Sequence, residues 1–477
     1  MVLSQSNSRS GPVDVASLIP GWSDRGTGSL ARRLAHAIRN GIESGLIGDG
    51  VRLPPERSLA ASLAISRSTV ATALDELRSD GLVVSRQGSG TIVVGPGSRV
   101  VAGSRIAEHF GGWTGIDLAA GNPPDASHLP SVSIDVADLV ATGEGPGVQP
   151  LGLIALRSVV ADRLTERGRL TDIDQVHITA GAHQAVSVAI RSLLRPGGVL
   201  ATEDPSYPGI FDIADGVSAR VAPVRSDSEG LIPADLERVL SEDRPAVLYM
   251  QTGPHNPLGH VTGPGRLRAL AEILDRHSTP VIEDTTLADL AFGGRVGPEL
   301  ADLCRATTVI GAGSLSKVVW GGLRIGWLTG PAHFIERSKY VRLGSDLGPA
   351  VPSQLLSIKL MPHLEEIAAK RRATLEKSAR LAVDQIQAEL PDWRVEMPAG
   401  GSVLWVAVPT PDTGPFVQLA ARHGVRVAPG AIARSDRVPG PYLRICVDRT
   451  PEHVEEGLRR LGLAWHELTA SPGYIPG

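Results

Sequence analysis

The chain has 477 residues, which is too long for a single hydrophobic core and favours one large domain with one or two smaller ones. Hydrophobic residues make up 42% of the sequence and charged residues 21%, a balance typical of a globular protein in water. The formal net charge is −4. Because there is no overall basic excess, any contact with nucleic acid must rely on a local arrangement of basic residues.

The cysteines and the apolar runs exclude several classes of protein. Cys304 and Cys446 are far apart and match neither a metal-binding nor a redox spacing, so we expect two free thiols and no metal site. The start of the chain lacks the apolar run of a signal peptide, and no apolar run reaches the ~18 residues that a membrane helix needs. We therefore expect a cytoplasmic protein without a membrane span.

Residues 21–95 predict three helices followed by a two-stranded β wing. The first helix has an apolar face at four-residue spacing, formed by Leu30, Leu34, Ile38 and Ile42. Pro55 fits the first turn of a second helix, and Ser66 can cap a third. Two β-type runs follow at 82–85 and 91–94, and a glycine-containing turn joins them.

This stretch resembles the winged helix-turn-helix DNA-binding domain of the GntR family. The resemblance covers about residues 28–94 and depends on the segments Gly50–Ala60, Ile65–Val70 and Arg86–Thr91, which occur in the order that the family shows. It implies a fold whose third helix enters the major groove of DNA. A small helical module for protein interaction is the alternative.

The resemblance also implies which residues contact DNA. One arginine of the second helix matches a position that touches the DNA backbone. The start of the third helix can reach base edges, where an arginine can pair with guanine, and the wing tip matches minor-groove contacts. The implied DNA-binding residues are Arg57, Ser66, Arg67, Ser68, Thr69, Gln87 and Gly88.

Residues 1–20 predict an N-terminal tail, and residues 96–115 predict a linker. Over residues 116–477, short β-type runs alternate with longer helical runs, which predicts an α/β domain with a largely parallel sheet. In such sheets ligands bind where the strands end, so the candidate chemistry lies there. The expected strands are 176–179, 199–203, 246–250, 281–282 and 307–310.

Lys317 is the first lysine in the chain, and only four others follow it. The 47 basic residues minus these five lysines leave 42 arginines, so the protein uses arginine for ordinary positive charges. Arginine stays protonated in proteins, whereas lysine can lose its proton and form an imine. An isolated lysine is more often a surface charge, and the neighbours of Lys317 decide between the two interpretations.

Those neighbours match what pyridoxal phosphate requires, namely a lysine, an anion beside the pyridine nitrogen and a phosphate cradle. Asp284 follows an apolar strand, and a carboxylate about 4 Å from a protonated ring nitrogen contributes about 4 kcal/mol at an effective dielectric constant of about 20. The helix that starts after Gly181 can hold a phosphate with its N–H groups. Arg324 can add a cation and lower the pKa of Lys317 by repulsion.

Over the whole α/β domain, these motifs resemble the class I aminotransferases of fold type I, which have a large and a small domain. The resemblance implies an imine at Lys317 and a pyridine partner at Asp284. It also implies that Asn256 contacts the ring hydroxyl and that Tyr207 covers the ring. Arg444 would bind the α-carboxylate of a substrate with a bidentate fork. The implied phosphate ligands are Ala182, His183, Ser314 and Arg324.

Two tyrosines of the family pattern are absent. Val148 occupies the position of a tyrosine that reaches the phosphate of the partner subunit. Thr286 and Leu287 occupy the positions where another tyrosine contacts the ring hydroxyl. The loss of two phenols is expected to weaken cofactor binding or to alter catalysis, without removing the amine that forms the imine.

A GntR-type winged helix joined to an aminotransferase-like domain resembles the MocR subfamily of transcriptional regulators, over nearly the whole chain. The resemblance implies a homodimer that binds paired DNA half-sites and uses pyridoxal phosphate. Our hypothesis is that an amino compound, anchored by Arg444, displaces Lys317 from the cofactor, or that pyridoxal phosphate is itself the effector. The alternatives are an active aminotransferase with an accessory DNA-binding domain, and a DNA-binding protein that has lost its cofactor.

Overall fold

The computed structural model divides the chain into two compact units, Met1–Gly103 and Ser104–Gly477. The described residues are 19, 21–24, 28–43, 47, 51–79, 82–86, 90–93, 104–106, 113–142, 145–294 and 297–470. The predictions for nearly all of the N-terminal tail, and for Gln87 and Gly88 at the wing tip, lie outside these ranges.

The first unit consists of three helices and a two-stranded antiparallel ribbon. Its helices α1, α2 and α3 span Leu30–Glu43, Glu56–Ser62 and Arg67–Ser79, and its strands β1 and β2 span Val83–Arg86 and Gly90–Val93. Three of the four residues of the predicted apolar face of α1 are buried, namely Leu34, Ile38 and Ile42, whereas Leu30 is 43% exposed. Leu34 and Ile38 share one core with Leu74 of α3. The predicted winged helix-turn-helix is confirmed, and each wing strand lies one residue closer to the turn than expected.

The second unit contains an eight-stranded sheet. The short strand β3 (Ile116–Asp117) precedes it, and the strands of the sheet are Val176–Thr179 (β4), Val199–Asp204 (β5), Arg220–Asp227 (β6), Gly230–Leu231 (β7), Val247–Gln251 (β8), Val281–Asp284 (β9), Val309–Ser314 (β10) and Gly326–Thr329 (β11). Their order is β4-β11-β10-β9-β8-β5-β6-β7. The strands from β10 to β6 in this order are parallel, whereas β11 and β7 are antiparallel to their neighbours. The predicted α/β class is therefore confirmed.

Helices cover both faces of this sheet. The helices of the second unit are Val136–Ala141 (α4), Ile154–Glu166 (α5), Ala182–Leu193 (α6), Pro208–Gly216 (α7), Pro233–Glu242 (α8), Pro264–His277 (α9), Leu300–Leu303 (α10), Ala332–Leu343 (α11), Val351–Leu360 (α12), Leu364–Glu389 (α13), Gly414–Arg422 (α14) and Pro451–Ala470 (α15). Side chains alternate along a strand, so Tyr249 of β8 packs with α6, α7 and α11, whereas Met250 packs with α8 and α9. Burial on both faces explains the continuous apolar runs of these strands.

The C-terminal part of the second unit forms a small lobe around a four-stranded antiparallel sheet, in the order β12-β13-β16-β15. The strands of the lobe are Arg394–Val395 (β12), Val403–Ala407 (β13), Val425–Arg426 (β14), Ala428–Pro429 (β15) and Tyr442–Cys446 (β16). Strand β14 pairs in parallel with β3, so the lobe includes the beginning of this unit. Within the described ranges, no helix is long and apolar enough to cross a membrane.

Strand β10 is longer than predicted. The sequence interpretation ended this strand at residue 310, where the glycines begin, but the strand continues to its last residue four positions later. A Cβ at Gly311 would lie 2.5 Å from Thr329 Oγ1, and a Cβ at Gly313 would lie 2.3 Å from the ring nitrogen of Trp327. Glycine is needed here because side chains of β11 lie directly against the backbone of β10.

The second unit begins upstream of the expected boundary. The Ser104 hydroxyl donates to Asp212 at 2.7 Å. The Arg105 guanidinium donates to the carbonyl of Ile432 at 3.1 Å. Part of the segment 96–115, for which a linker is predicted, is thus packed onto the second unit.

Replacing Gly313 with alanine tests the close approach of β10 and β11. The added methyl would overlap the Trp327 ring, so Gly313→Ala is expected to lower the free energy of unfolding by about 1–3 kcal/mol in urea denaturation. Gly265→Ala is the matched control, because a Cβ there has no atom within 4 Å and alanine favours a helix over glycine. Equal stabilities of the Gly313→Ala and wild-type proteins would contradict this packing.

Candidate functional site

The side chains identified from the sequence meet at the carboxyl ends of β9 and β10. Asp284 is the last residue of β9, Ser314 is the last residue of β10, and Ala312 lies opposite Asp284 in the parallel register. Lys317 follows shortly after Ser314. The register therefore brings a carboxylate, hydroxyls and an amine to one edge of the sheet, which is where ligands bind in such folds.

Two donors fix the Asp284 carboxylate. The Tyr249 hydroxyl donates to Oδ2 at 2.8 Å, and the backbone N–H of Thr286 donates to Oδ1 at 2.9 Å. Burial raises the pKa of Tyr249 well above its usual value, and the charge of Asp284 adds to the rise. The phenol therefore stays protonated and remains a hydrogen-bond donor to the carboxylate.

Two acceptors hold the Lys317 amine. Its Nζ donates to the carbonyl of Gly121 at 2.6 Å and to Asn122 Oδ1 at 2.7 Å. Burial, followed by the positive charge of Arg444, lowers the pKa of Lys317 to about 8. The expected direction of this pKa shift is present, but Arg324, the source that the sequence interpretation named, is not among its main causes.

An anion-binding cradle surrounds the start of α6. Gly181 precedes the helix with a φ of 87°, and the first N–H groups of a helix lack acceptors within the helix. The Ser314 hydroxyl donates to Ser316 Oγ at 3.0 Å. A Cβ at Gly181 would lie 3.3 Å from Arg324 Nη1 and 3.4 Å from Ser316 Oγ. Backbone donors, two hydroxyls and a guanidinium thus surround one small volume.

His183, in the first turn of α6, contacts Tyr207. Its Nδ1 lies 3.2 Å from the Tyr207 hydroxyl, and the rings are nearly perpendicular, with centroids 6.2 Å apart. Burial lowers the pKa of His183. Burial also raises the pKa of Tyr207, and the charge of Asp284 adds to that rise. Both rings are therefore uncharged near neutral pH.

Asn256 and Arg444 form one hydrogen-bonded pair. The buried Arg444 donates from Nε to Asn256 Oδ1 at 2.9 Å and from Nη1 to the carbonyl of Ala119 at 2.7 Å. The Gln251 side chain clamps the backbone of Asn256, because it donates to the carbonyl at 3.2 Å and accepts from the N–H at 3.1 Å. The predicted ligands of the ring hydroxyl and of the carboxylate are therefore positioned together.

The positions that depart from the family pattern supply no phenol to this site. Val148 is 49% exposed, and Leu287 packs against a hydrophobic core. Thr286 Oγ1 is buried and has no hydrogen-bond partner among the residues that the structure describes. Thr286 lies two residues after Asp284 in the sequence. A buried hydroxyl without a hydrogen-bond partner is a group that a bound molecule can satisfy.

The sequence interpretation missed four residues that hold the site together, namely Gly121, Asn122, Tyr249 and Gln251. The first two belong to a Gly-Asn-Pro-Pro run, which is a turn signal that carries no chemical meaning by itself. The other two are polar side chains within an otherwise apolar strand, β8. That exception to the apolar pattern was the available signal for both.

Of the predicted DNA-contacting residues that the structure describes, Arg57, Ser66, Arg67 and Ser68 are exposed and Thr69 is half-exposed. Ser66 Oγ accepts from the backbone N–H of Thr69 at 3.1 Å, so the predicted cap of α3 is present. The Arg67 side chain is 72% exposed and pairs with Glu56 at 3.2 Å, and Arg57 is exposed on α2. The start of α3 brings together Ser66, Arg67, Ser68 and Thr69.

Comparisons with known proteins agree with this two-part architecture. The family "Aminotransferase class I and II" matches residues 114–461, and "Bacterial regulatory proteins, gntR family" matches residues 30–93. The HTH-type transcriptional regulator TauR of Rhodobacter capsulatus is 28% identical, over 95% of this chain and 99% of its own. The HTH-type pyridoxine biosynthesis transcriptional regulator PdxR of Corynebacterium glutamicum is 27% identical, over 78% of this chain and 82% of its own.

A solved structure adds to this likeness. LysN, an α-aminoadipate aminotransferase of Thermus thermophilus complexed with N-(5'-phosphopyridoxyl)-L-leucine, aligns with a TM-score of 0.70 at 25% identity, over 79% of this chain and 98% of that one. The chain therefore belongs to the class I and II aminotransferase family and also carries a GntR-type DNA-binding domain. It is a transcriptional regulator of the MocR type, and its cofactor is pyridoxal phosphate.

The residues of the site fit this cofactor. Bound pyridoxal phosphate supplies an aldehyde that forms an imine with a lysine and a ring that acts as an electron sink. Lys317 offers an amine of lowered pKa, and Asp284 offers a fixed carboxylate. The cradle at Gly181 and the hydroxyl of Thr286, which has no partner among the described residues, are suited to the phosphate and to a polar ring substituent.

Tyr249→Phe tests whether the phenol supports cofactor binding through Asp284. Loss of a hydrogen bond to a charged group costs about 1.5–3 kcal/mol, so the dissociation constant for pyridoxal phosphate is expected to rise at least about tenfold in an absorbance titration. Tyr340→Phe is the control, because Tyr340 is 65% exposed on α11. An unchanged dissociation constant for Tyr249→Phe would show that the contact plays no part in binding.

Proposed function

We propose that the protein regulates transcription by exchanging the partner of the Lys317 amine. Lys317 would hold pyridoxal phosphate as an imine, and an amino compound that replaces Lys317 on the cofactor would change the affinity for DNA. The observation that carries this proposal is an amine whose pKa is lowered to about 8, in a chain with a GntR-type domain. Such an amine is suited to reversible exchange near neutral pH.

The contacts at the site support a role for each cofactor ligand. Asp284 would keep the pyridine nitrogen protonated, and Tyr207 would cover the ring. Because Asn256 Oδ1 accepts from Arg444, the amide NH₂ of Asn256 would be oriented to donate to the ring hydroxyl. The proposed phosphate ligands are Ala182, His183, Ser314 and Arg324.

The site favours an amino compound with a carboxylate as the effector. The Arg444 guanidinium is fixed by contacts through Nε and Nη1, so a carboxylate would meet a positioned cation. A regulator does not need turnover, because it needs only two states that bind DNA differently. Pyridoxal phosphate itself is the simpler effector, in which case loading of Lys317 alone would change DNA binding.

We infer a homodimer from large apolar side chains that are exposed on the second unit. A Cβ at Gly348 would lie 2.5 Å from the carbonyl oxygen of Gln149. The preceding residues, Leu347 and Val148, are therefore near each other. Neighbouring apolar side chains that are exposed to water are candidates for burial in an interface, and a twofold dimer would match paired DNA half-sites. The exposed side chains are Val136, Val140, Val148, Ile154 and Leu347.

An active aminotransferase with an accessory DNA-binding domain is the second candidate. The likeness to LysN favours it. The absence of two tyrosines disfavours it, since Val148 occupies one position and Thr286 and Leu287 occupy the other. It predicts sustained conversion of an amino donor and a keto acid at ordinary enzyme rates. If the protein is a regulator, an amine should change its spectrum without comparable turnover. A regulator of transcription would act in the cytoplasm, where the DNA is accessible.

Lys317→Ala separates cofactor capture from DNA binding. The variant is expected to lose the imine absorbance near the visible edge and the response of DNA binding to the effector, because it has no amine at this position. The Lys339→Ala control should keep both, since Lys339 pairs with Glu336 on α11. Spectra and anisotropy with labelled DNA measure the two properties, and a Lys317→Ala protein that retains both would contradict the proposal.

The rate of imine formation should depend on pH through Lys317. Only the neutral amine attacks an aldehyde, and burial lowers the pKa of Lys317 to about 8. The rate with pyridoxal phosphate is therefore expected to rise about tenfold per pH unit below pH ~8 and to level off above it. A midpoint near pH ~10 would show that the amine has the ordinary pKa of a lysine.

A further inference from the structure

The segment Asp117–Asn122, called the strap below, is held in place by Arg449. The Arg449 guanidinium donates to the carbonyls of Asp117 and Ala120, both at 2.8 Å, and to the carbonyl of Asn122 at 3.1 Å. One guanidinium therefore ties both ends and the middle of the strap to the residues that follow β16.

The strap also contacts both side chains proposed to bind ligands. The carbonyl of Gly121 and Oδ1 of Asn122 accept from the Lys317 amine at 2.6 and 2.7 Å. The carbonyl of Ala119 accepts from Arg444 Nη1 at 2.7 Å. One short stretch of chain thus touches the amine proposed for the cofactor and the cation proposed for the effector.

The chemical state of Lys317 determines how many of these contacts can persist. A lysine ammonium has three N–H donors, and two of them meet the strap. When the neutral amine condenses with an aldehyde, the new C=N bond replaces the C=O bond, and both amine hydrogens leave with the aldehyde oxygen as water. The imine nitrogen carries at most one proton, so at least one strap acceptor loses its donor, which is costly in a buried place.

On the basis of the proposed imine at Lys317, we propose that Asn122 is a positioning residue for the lysine amine and that the strap responds when the amine is engaged. The strap starts at β3, which pairs with β14 of the small lobe. The chain that precedes β3 leads back to the DNA-binding unit. The strap is therefore continuous in sequence with the segment that connects the two units.

A substitution at Asn122 is expected to raise or to lower the pKa of Lys317, depending on the new side chain. Burial, followed by the charge of Arg444, lowers the pKa of Lys317, whereas the carboxylates of Asp448 and Asp284 raise it, as does Cys446 in its thiolate form. Asn122 is uncharged, so its replacement leaves all of these groups in place. An alanine removes an acceptor that favours the ammonium, and an aspartate adds a negative charge that favours the ammonium more strongly.

The positioning role is tested by the pH dependence of imine formation in the full-length protein with pyridoxal phosphate. The midpoint of the plot of imine-formation rate against pH is expected to shift relative to wild type. It should fall by about half a pH unit to one unit in Asn122→Ala and rise by at least about one unit in Asn122→Asp. Asn40→Ala is the matched control, because Asn40 contacts His36 within α1. Shifts of both Asn122 variants in one direction, or no shifts, would overturn the role.

The response of the strap is tested by hydrogen exchange of its amides. The N–H of Leu118 donates to the carbonyl of Arg426 at 2.8 Å, and the N–H of Ala119 donates to Asp117 Oδ1 at 2.9 Å. Pyridoxal phosphate is expected to change exchange at these amides at least about threefold in the wild type. In Lys317→Ala it should change nothing there.

The outcomes separate this inference from the proposed function. If the imine absorbance of the wild type develops fully while exchange in the strap stays constant, the inference is overturned and the proposed function stands. If no imine absorbance develops in the wild type, the proposed function itself is contradicted.

Discussion

The buried amine of Lys317, which has to lose its proton to form the proposed imine, is the constraint on which the proposed site depends. Desolvation disfavours the ammonium, and the charge of Arg444 disfavours it further, so the pKa of Lys317 falls to about 8. The negative charges of Asp448 and Asp284 limit the decrease. Both the charged and the neutral form of the amine are therefore populated near neutral pH, as the proposed reversible exchange requires.

The sheet supplies rigidity where the cofactor needs it. Asp284 is fixed from one neighbouring strand by Tyr249 and from its own loop by a backbone N–H. Strand β10 can run close to β11 because Gly313 leaves room for the Trp327 ring. The strap is held both by backbone hydrogen bonds of Leu118 with Arg426 and Cys446 and by the side chains of Arg449, Arg444 and Lys317. Only the contacts with Lys317 change when its amine is engaged, which places the proposed response next to a fixed carboxylate site.

Short-range patterns were sufficient to predict the winged helix, the α/β class and the positions of Lys317 and Asp284. Each of these leaves a local signal, such as a helical period, a capping serine, a rare lysine or an acid after an apolar strand. The contacts of Tyr249 and Asn122 could not be predicted, because their partners are 35 and 195 residues away. The polar residues of β8 mark Tyr249 as unusual but do not identify its partner. The predicted end of β10 was wrong for the same reason, because the glycines of this strand are explained only by the side chains of β11.

The most direct test of the account is the effect of chemical reduction on DNA affinity. Borohydride converts an imine into a stable secondary amine, which would lock Lys317 to pyridoxal phosphate. Anisotropy with a labelled fragment from upstream of the protein's own gene would then be measured with and without amino acids. The account predicts that the reduced protein binds with one fixed affinity and ignores every amine that changes the binding of the unreduced protein. A reduced protein that still responds to the same amines would contradict imine exchange as the signal.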